Sequence, residues 1–227
     1  KTPLRYPGGK SRAITKISEF FPDLSKYDQF REPFVGGGSV ALWVTKTYPD
    51  LLIWVNDLYE PLYNFWVQLQ TQGEEMQDIL TNIKEENSDP DKAKELFIES
   101  KEILSSGSNI DRAVAFYVIN KCSFSGLGEN SSFSAQASDS NFSMNGIEKL
   151  SGYQDLIKYW KITNLSYEEM LGGSGSFIYL DPPYEIGSNL YGKKGSMHKY
   201  FHHTRFSEAC CSSSHDILVS YNSSNLN

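Results

Sequence analysis

The feature that most constrains this chain is a short apolar run, Ser176–Leu180 (SFIYL), leading without a break into Asp181-Pro182-Pro183-Tyr184. Successive apolar residues rich in aromatic and β-branched types suit a strand buried on both faces. Two prolines then end it, because neither can donate to a ladder. Such a strand needs neighbours in a covered sheet, and the chain supplies them. Strands are expected at 27–33 (YDQFREP), 51–55 (LLIWV), 160–164 and 216–220 (DILVS). Between the first two lies a helix, VALWVTK, with Ser39 as its expected N-cap. After the second, Pro61 opens a helix in which Leu62, Phe65, Trp66 and Leu69 recur at helical spacing. Strands alternating with helices imply an α/β fold, a doubly wound and mostly parallel sheet.

Residues 73–153 interrupt that alternation and read as a helical insertion, which leaves 1–72 and 154–227 to build the α/β domain. Within the insertion, 73–108 is polar with a weak helical pattern and a break at Ser88-Asp89-Pro90-Asp91. Asp111 is expected to cap an apolar helix, RAVAFYVIN, and the Ser-, Gly- and Asn-rich stretch 122–145 to be mostly loop.

At 227 residues with 39% hydrophobic content, the chain can fill a core of its own. It holds no apolar run long enough to cross a bilayer, and its first residues lack the apolar stretch of a secretory signal. Cys122, Cys210 and Cys211 have no framework spacing, which suits free thiols in a reducing, cytosol-like compartment. The net charge of −7 argues against a nucleic-acid partner until its distribution is considered. Acidic residues concentrate between Glu74 and Glu102. By contrast, 186–207 contains no acidic residue but carries Lys193, Lys194, Lys199, Arg205 and three histidines. Lys1, Arg5, Lys10, Arg12 and Lys16 form a second basic group. Local basic faces bind phosphate whatever the total charge, since screening confines their field to about 8–10 Å.

Three motifs carry chemistry. Phe34-Val35-Gly36-Gly37-Gly38 is a glycine turn between strand and helix, and Asp57 follows at the end of the next apolar strand. Glycines let backbone approach a ligand, and an acid at the next strand tip can accept both ribose hydroxyls of a nucleoside. The pattern is not G-x-G-x-x-G, which disfavours a dinucleotide. Asp181-Pro182-Pro183-Tyr184 lies at the carboxyl edge of the sheet, where open α/β sheets bind ligands. The third motif, Tyr6-Pro7-Gly8-Gly9-Lys10-Ser11, is not a Walker loop, because position 4 is Leu4 where a glycine is required.

YPGGK, EPFVGGGSV, NDL and DPPY, in this order, resemble the Dam-type (D12 class) DNA adenine N6-methyltransferases over nearly the whole chain. The resemblance implies a Rossmann-like domain that uses S-adenosylmethionine, releases S-adenosylhomocysteine and needs no metal. It implies that Tyr6, Lys10, Phe34, Gly36, Gly38, Asp57, Ser166, Tyr167 and Asp181 contact the cofactor, although members often carry an acidic residue at the position of Ser166. It further implies that Asp181, Pro182 and Tyr184 act on an adenine extruded from duplex DNA. A carboxylate and a proline carbonyl accepting both N6 hydrogens would free the nitrogen lone pair, while the tyrosine stacks on the base.

The insertion then reads as the target-recognition domain. Phe124-Ser125-Gly126-Leu127-Gly128-Glu129 resembles the family's DNA-entering hairpin, with Leu127 as a wedge and Ser125 and Glu129 as readers of base edges. Members that read GATC carry Asn and Arg at the positions of Ser125 and Glu129. The basic segment after DPPY suggests phosphate contact by Lys194, His198 and Arg205. A zinc site among His198, His202, His203, Cys210, Cys211 and His215 fits no standard ligand spacing. After DILVSYN the family usually continues with a closing antiparallel hairpin, and the link 206–216 looks short for the intervening helix. The expectation is therefore that residues are missing or the chain is shortened. A monomer is favoured, with no membrane partner. The competing readings are an RNA adenine N6-methyltransferase and an inactive DNA- or cofactor-binding module.

Overall fold

The computed structural model describes residues 2–6, 8–87, 89–124, 131–184 and 201–221. In chain order the elements begin with α1 Ile14–Ser18, β1 Gln29–Glu32, α2 Ser39–Thr47 and β2 Leu52–Asn56. A helical series follows: α3 Glu60–Glu86, α4 Pro90–Ser106, α5 Asn109–Cys122, α6 Ala135–Asn141, α7 Met144–Ile147 and α8 Leu150–Ile157. The chain then returns through β3 Lys161–Thr163, β4 Ser176–Leu180, α9 His203–Cys211 and β5 Asp216–Val219. These elements fall into two compact units. One is Gly9–Tyr59 with Tyr159–Asn227, and the other is Lys1–Gly8 with Glu60–Lys158.

The first unit carries the α/β sheet, while residues 1–8 and 60–72 belong to the helical unit. Its strands pair in parallel throughout, in the order β3-β2-β1-β4-β5. All five residues of β4 are buried, as a strand covered on both faces requires. On one face Phe21 packs against Phe30, Trp43, Phe177 and Tyr179 at centroid distances of 5.4–6.4 Å. On the other, Ile178 and Leu180 join Leu171 and Phe206 of α9, with Ile217 and Val219 alongside. The chain leaves β1 toward β2 and β3 but reaches β4 and β5 on the opposite side. The order therefore reverses between β1 and β4, and a crevice opens at their carboxyl ends.

The second unit is helical and includes residues 73–153. Leu62, Phe65, Trp66 and Leu69 are fully buried, as their spacing predicts. The Phe65 ring stacks on Tyr117 of α5 at 6.2 Å, and Tyr117 meets Phe142 edge-on at 6.4 Å. Helix is more extensive here than composition suggests. α3 continues past Gly73, kinked at Gln72 (φ −139°, ψ 32°), and the side chain of Gln154 accepts the Glu74 N–H at 2.8 Å. Asp89 caps α4, so the break at 88–91 separates two helices.

Several local expectations are corrected. α2 begins at Ser39 itself and its cap is Gly38, held in the left-handed region at φ 71°. Ser39 instead pairs its hydroxyl with Ser11 at 2.9 Å. Ser108, not Asp111, caps α5; Asp111 sits three residues on and accepts the Ser108 hydroxyl at 2.6 Å. Stretch 122–145, expected as loop, holds α6 and α7, because Ser134 and Ser143 act as helix caps. The link before β5 does contain a helix, since α9 starts upstream of Phe206, at His203.

At Gly73 α3 passes close to α8, for a Cβ there would stand 2.8 Å from the Cβ of Gln154. Alanine has the better helix propensity by about 1 kcal/mol. We nevertheless expect Gly73→Ala to destabilise by about 1–3 kcal/mol through overpacking. Urea unfolding is the check, and an unchanged or raised midpoint would refute this account of the kink.

Candidate active site

Parallel pairing brings the carboxyl ends of β1, β2 and β4 to one edge, and each end supplies an acid. Glu32 closes β1, Asp57 follows β2 and Asp181 follows β4. The strand tips are tied by Asn56, whose amide donates to Pro33 O at 3.1 Å and Leu165 O at 3.0 Å. Its carbonyl accepts from Leu165 N–H at 2.8 Å and Thr163 Oγ1 at 2.9 Å. Every hydrogen-bonding position of this buried amide is used, which fixes three loops with one side chain.

Glu32 is buried and accepts the Ala41 N–H of α2 at 2.8 Å. Burial pushes its carboxyl well above the usual range, and the nearby Asp181 and Asp57 push in the same direction. Asp57 accepts from Gly36 N–H and Tyr59 N–H, each at 3.0 Å. Burial still lifts its pKa to about 6, against the effect of those two donors. Two donors leave acceptor positions on the carboxylate for further hydroxyls, and the adjacent Gly36 (φ 48°) takes a backbone conformation that favours glycine.

Asp181 is the centre of the site. The Lys10 ammonium pairs with its Oδ2 and reaches the Tyr184 hydroxyl at 3.0 Å. Oδ1 accepts from the Tyr184 hydroxyl at 2.6 Å and from Ser220 Oγ at 2.8 Å. Ser220 shares a hydrogen bond with Tyr179 OH at 3.0 Å and donates its N–H to Leu180 O at 2.8 Å, so it is positioned from two sides. Burial opposes the charge on Lys10, but the Asp181 carboxylate prevails and the lysine pKa lies above its ordinary value. Burial, and then Asp181, raise the Tyr184 hydroxyl as well. The Tyr184 ring tilts against Tyr221 at 6.5 Å.

Beside this centre Phe34 joins Tyr167, Phe201 and Phe206 in an aromatic group with centroids 5.4–6.2 Å apart. Ser166 opens the turn that carries Tyr167 and donates its hydroxyl to Glu168, which in turn holds Arg205 at 2.6 Å. A carboxylate is thus present beside position 166, supplied from two residues on. Arg205 remains 70% exposed.

The structure therefore brings together Lys10, Phe34, Gly36, Asp57, Tyr167, Asp181 and Tyr184 of the expected set, with Gly38 as the α2 cap and Pro182 buried beside Asp181. Tyr6 belongs to the helical unit. Ser125, Leu127, Glu129, Lys194 and His198 lie outside the described residues. Sequence reasoning missed Glu32, Asn56, Tyr179 and Ser220. The two carboxyl-edge residues Glu32 and Asn56 adjoin motifs already recognised, so position at a strand end was an available signal. Tyr179 and Ser220 carried none. His215, weighed as a zinc ligand, instead accepts the Ser176 N–H at 3.1 Å and meets Gly172 O at 2.9 Å. Among the described residues no group of three or more His, Cys, Asp or Glu is placed to hold a metal.

Because Asp57 binds its proton more tightly folded than unfolded, stability falls as pH rises from the unfolded value of 3.8 to about 6. Glu32 acts in the same sense. We expect carboxyl NMR to give an Asp57 midpoint of about 6. Asp57→Asn should make the fall in stability across that window shallower. A midpoint near 3.8 would contradict the burial described here.

Comparison with known proteins gives a match to the family model for the D12 class N6 adenine-specific DNA methyltransferases over residues 6–227. The chain is 25% identical over 200 residues to the type II methyltransferase M.MjaIII of Methanocaldococcus jannaschii, covering 80% of this chain and 68% of that protein. It is 26% identical over 194 residues to the type II methyltransferase M1.LlaDCHI of Lactococcus lactis subsp. cremoris, covering 79% and 64%. The matches thus span about two thirds of the length of these relatives.

Proposed function

The chain belongs to the D12 class of N6 adenine-specific DNA methyltransferases, and from that premise we propose that it methylates adenine N6 in duplex DNA at the Asp181 site. The observation that carries the reading is the placement of Asp181 and Tyr184 at the β4 end, across the β1/β4 reversal from the glycine loop, with Lys10 on the carboxylate. When bound, S-adenosylmethionine supplies an activated methyl group on a sulfonium sulfur. Asp57 has acceptor capacity for the ribose hydroxyls, and Phe34 and Tyr167 offer apolar faces to the adenosine. Those residues fit the cofactor; Ser166 and Tyr6 are assigned to it by family resemblance.

Toward the target base, Asp181 accepts an N6 hydrogen and draws electron density back onto the nitrogen. The Pro182 carbonyl takes the second hydrogen, and the Tyr184 ring stacks on the base. Lys10 pairs with Oδ2 of the carboxylate, and Ser220 fixes the direction of Oδ1. No covalent intermediate with the enzyme is required, so positioning supplies much of the rate. Within the helical unit, 73–153 serves target recognition, with Ser125, Leu127 and Glu129 reading DNA and Lys194, His198 and Arg205 contacting phosphate beside the base.

Incubation with labelled S-adenosylmethionine and duplex DNA, followed by nucleoside analysis, should yield N6-methyladenine. Label in RNA but not DNA would redirect the reading to an RNA methyltransferase, and cofactor binding without transfer would mark an inactive module. Asp181→Ala should lower turnover by about 10²–10⁴-fold with the fold retained. Ser220→Ala, which removes one donor from Asp181, should lower kcat by about tenfold or less while leaving KM nearly unchanged. Full activity of the Asp181 variant would refute the mechanism.

A further inference from the structure

The helical unit carries a pair of cations that its own folding does not explain. Lys121, in the last turn of α5, is only 8% exposed. Its ammonium lies 5.0 Å from the Tyr117 ring, and burial, followed by the neighbouring Arg5, lowers its pKa to about 8. Arg5 is held against the same helix end from several directions. Its backbone N–H donates to Asn120 Oδ1 at 2.9 Å, and its carbonyl accepts from Asn120 Nδ2 at 2.6 Å. Its guanidinium donates to Ser123 O at 2.9 Å and Phe124 O at 3.4 Å. Among the described residues, the ion pairs are Lys10–Asp181, Arg112–Glu60 and Arg205–Glu168, so no carboxylate neutralises Arg5 or Lys121.

Two adjoining cations, one of them buried, disfavour the folded state. The α5 dipole and the Tyr117 face offset part of that cost, yet the lysine pKa remains depressed. A methionine would fill the same space without the penalty. The arrangement is also directional. Asn120 and two main-chain carbonyls pre-set the guanidinium, while part of its donor fork is left for another acceptor. An anion with several oxygens, able to take a hydrogen bond from each cation at once, completes this geometry.

We infer that Arg5 and Lys121 form a binding site for one backbone phosphodiester of duplex DNA at the C-terminal end of α5. The inference rests on the reading of the chain as a DNA methyltransferase, and it places a phosphate contact in the helical unit, apart from the basic segment that follows DPPY. It also accounts for how this unit tolerates DNA despite the acidic stretch between Glu74 and Glu102. Attraction is supplied at one fixed point, within a screening length, and not by the overall charge. The contact is positional, setting register on the duplex without reading sequence.

The test uses the whole chain and random-sequence duplex DNA, with affinity measured from 50 to 200 mM salt. Lys121→Met should weaken binding on the order of tenfold. It should also reduce the slope of log affinity against log salt by about 0.9, the loss of one phosphate contact. The same variant should unfold at a temperature higher by about 2–4 °C, because the buried charge is gone. Lys121→Arg should restore the slope, and Lys121→Gln provides a second neutral variant if methionine disturbs the fold. Unchanged affinity and slope in a folded Lys121→Met protein would overturn the inference. Should wild type bind no duplex at all, the methyltransferase reading fails, and inorganic phosphate still decides the site. Phosphate should raise the wild-type melting temperature more than that of Lys121→Met, and equal shifts would overturn it.

Discussion

Parallel pairing sends the carboxyl ends of every strand to the same edge, and in this chain that edge is closed by a single buried amide. Asn56 joins the loops after β1, β2 and β3, so the glycine turn, Asp57 and the Ser166–Tyr167 turn hold a common register. Aspartate there would lose two donors, and leucine would leave the Pro33 and Leu165 carbonyls without their partner. The chemistry of the site therefore rests on a residue with no evident chemical role of its own.

Electrostatics at that edge are unbalanced in a way that suits a cationic ligand. Glu32, Asp57 and Asp181 converge with Lys10 as the described cation paired to one of them. Burial resolves part of the repulsion by favouring protonation of Glu32 and lifting Asp57, while Asp181 keeps its lysine. The three acids thereby stand in different surroundings: Glu32 is buried against the start of α2, Asp57 is held by two main-chain donors, and Asp181 is paired with Lys10.

The fold was legible because burial on both faces writes itself into composition. SFIYL, buried at every position, needed no periodicity to be read as a strand; LLIWV was read as a buried strand too, yet there Ile53 and Val55 are buried while Leu52 is exposed. Leu62, Phe65, Trp66 and Leu69 repeat as a helix must. The motifs EPFVGGGSV and DPPY were equally legible, since each combines a backbone constraint with an acid at a strand end. Caps were misplaced where two candidates stood close together. Ser39 follows a glycine already able to take the left-handed conformation, and Asp111 follows a serine one turn earlier. Helix in 73–145 was underestimated because its support is tertiary, as with the Gln154 side chain that repairs the ladder at the Gln72 kink. Ser220 and Tyr179 were invisible for a different reason. Their partnership with Asp181 depends on the β4/β5 register, which no local pattern encodes.

On the proposed reading of the site, the hydroxyls of Tyr184 and Ser220 on Asp181 would have a consequence for which bases it accepts. In this state the carboxylate is already fully hydrated in effect, with protein donors in the place of water. A base that displaces the Tyr184 hydroxyl must return an N–H in exchange, or the carboxylate is left short of a partner beside an apolar ring. Adenine, with two hydrogens on its exocyclic nitrogen, makes that trade evenly. Thymine has a carbonyl in the corresponding position and would set oxygen against oxygen. On that reading, discrimination among extruded bases would begin with the cost of breaking a bond the enzyme makes to itself, before any contact specific to the adenine ring is formed.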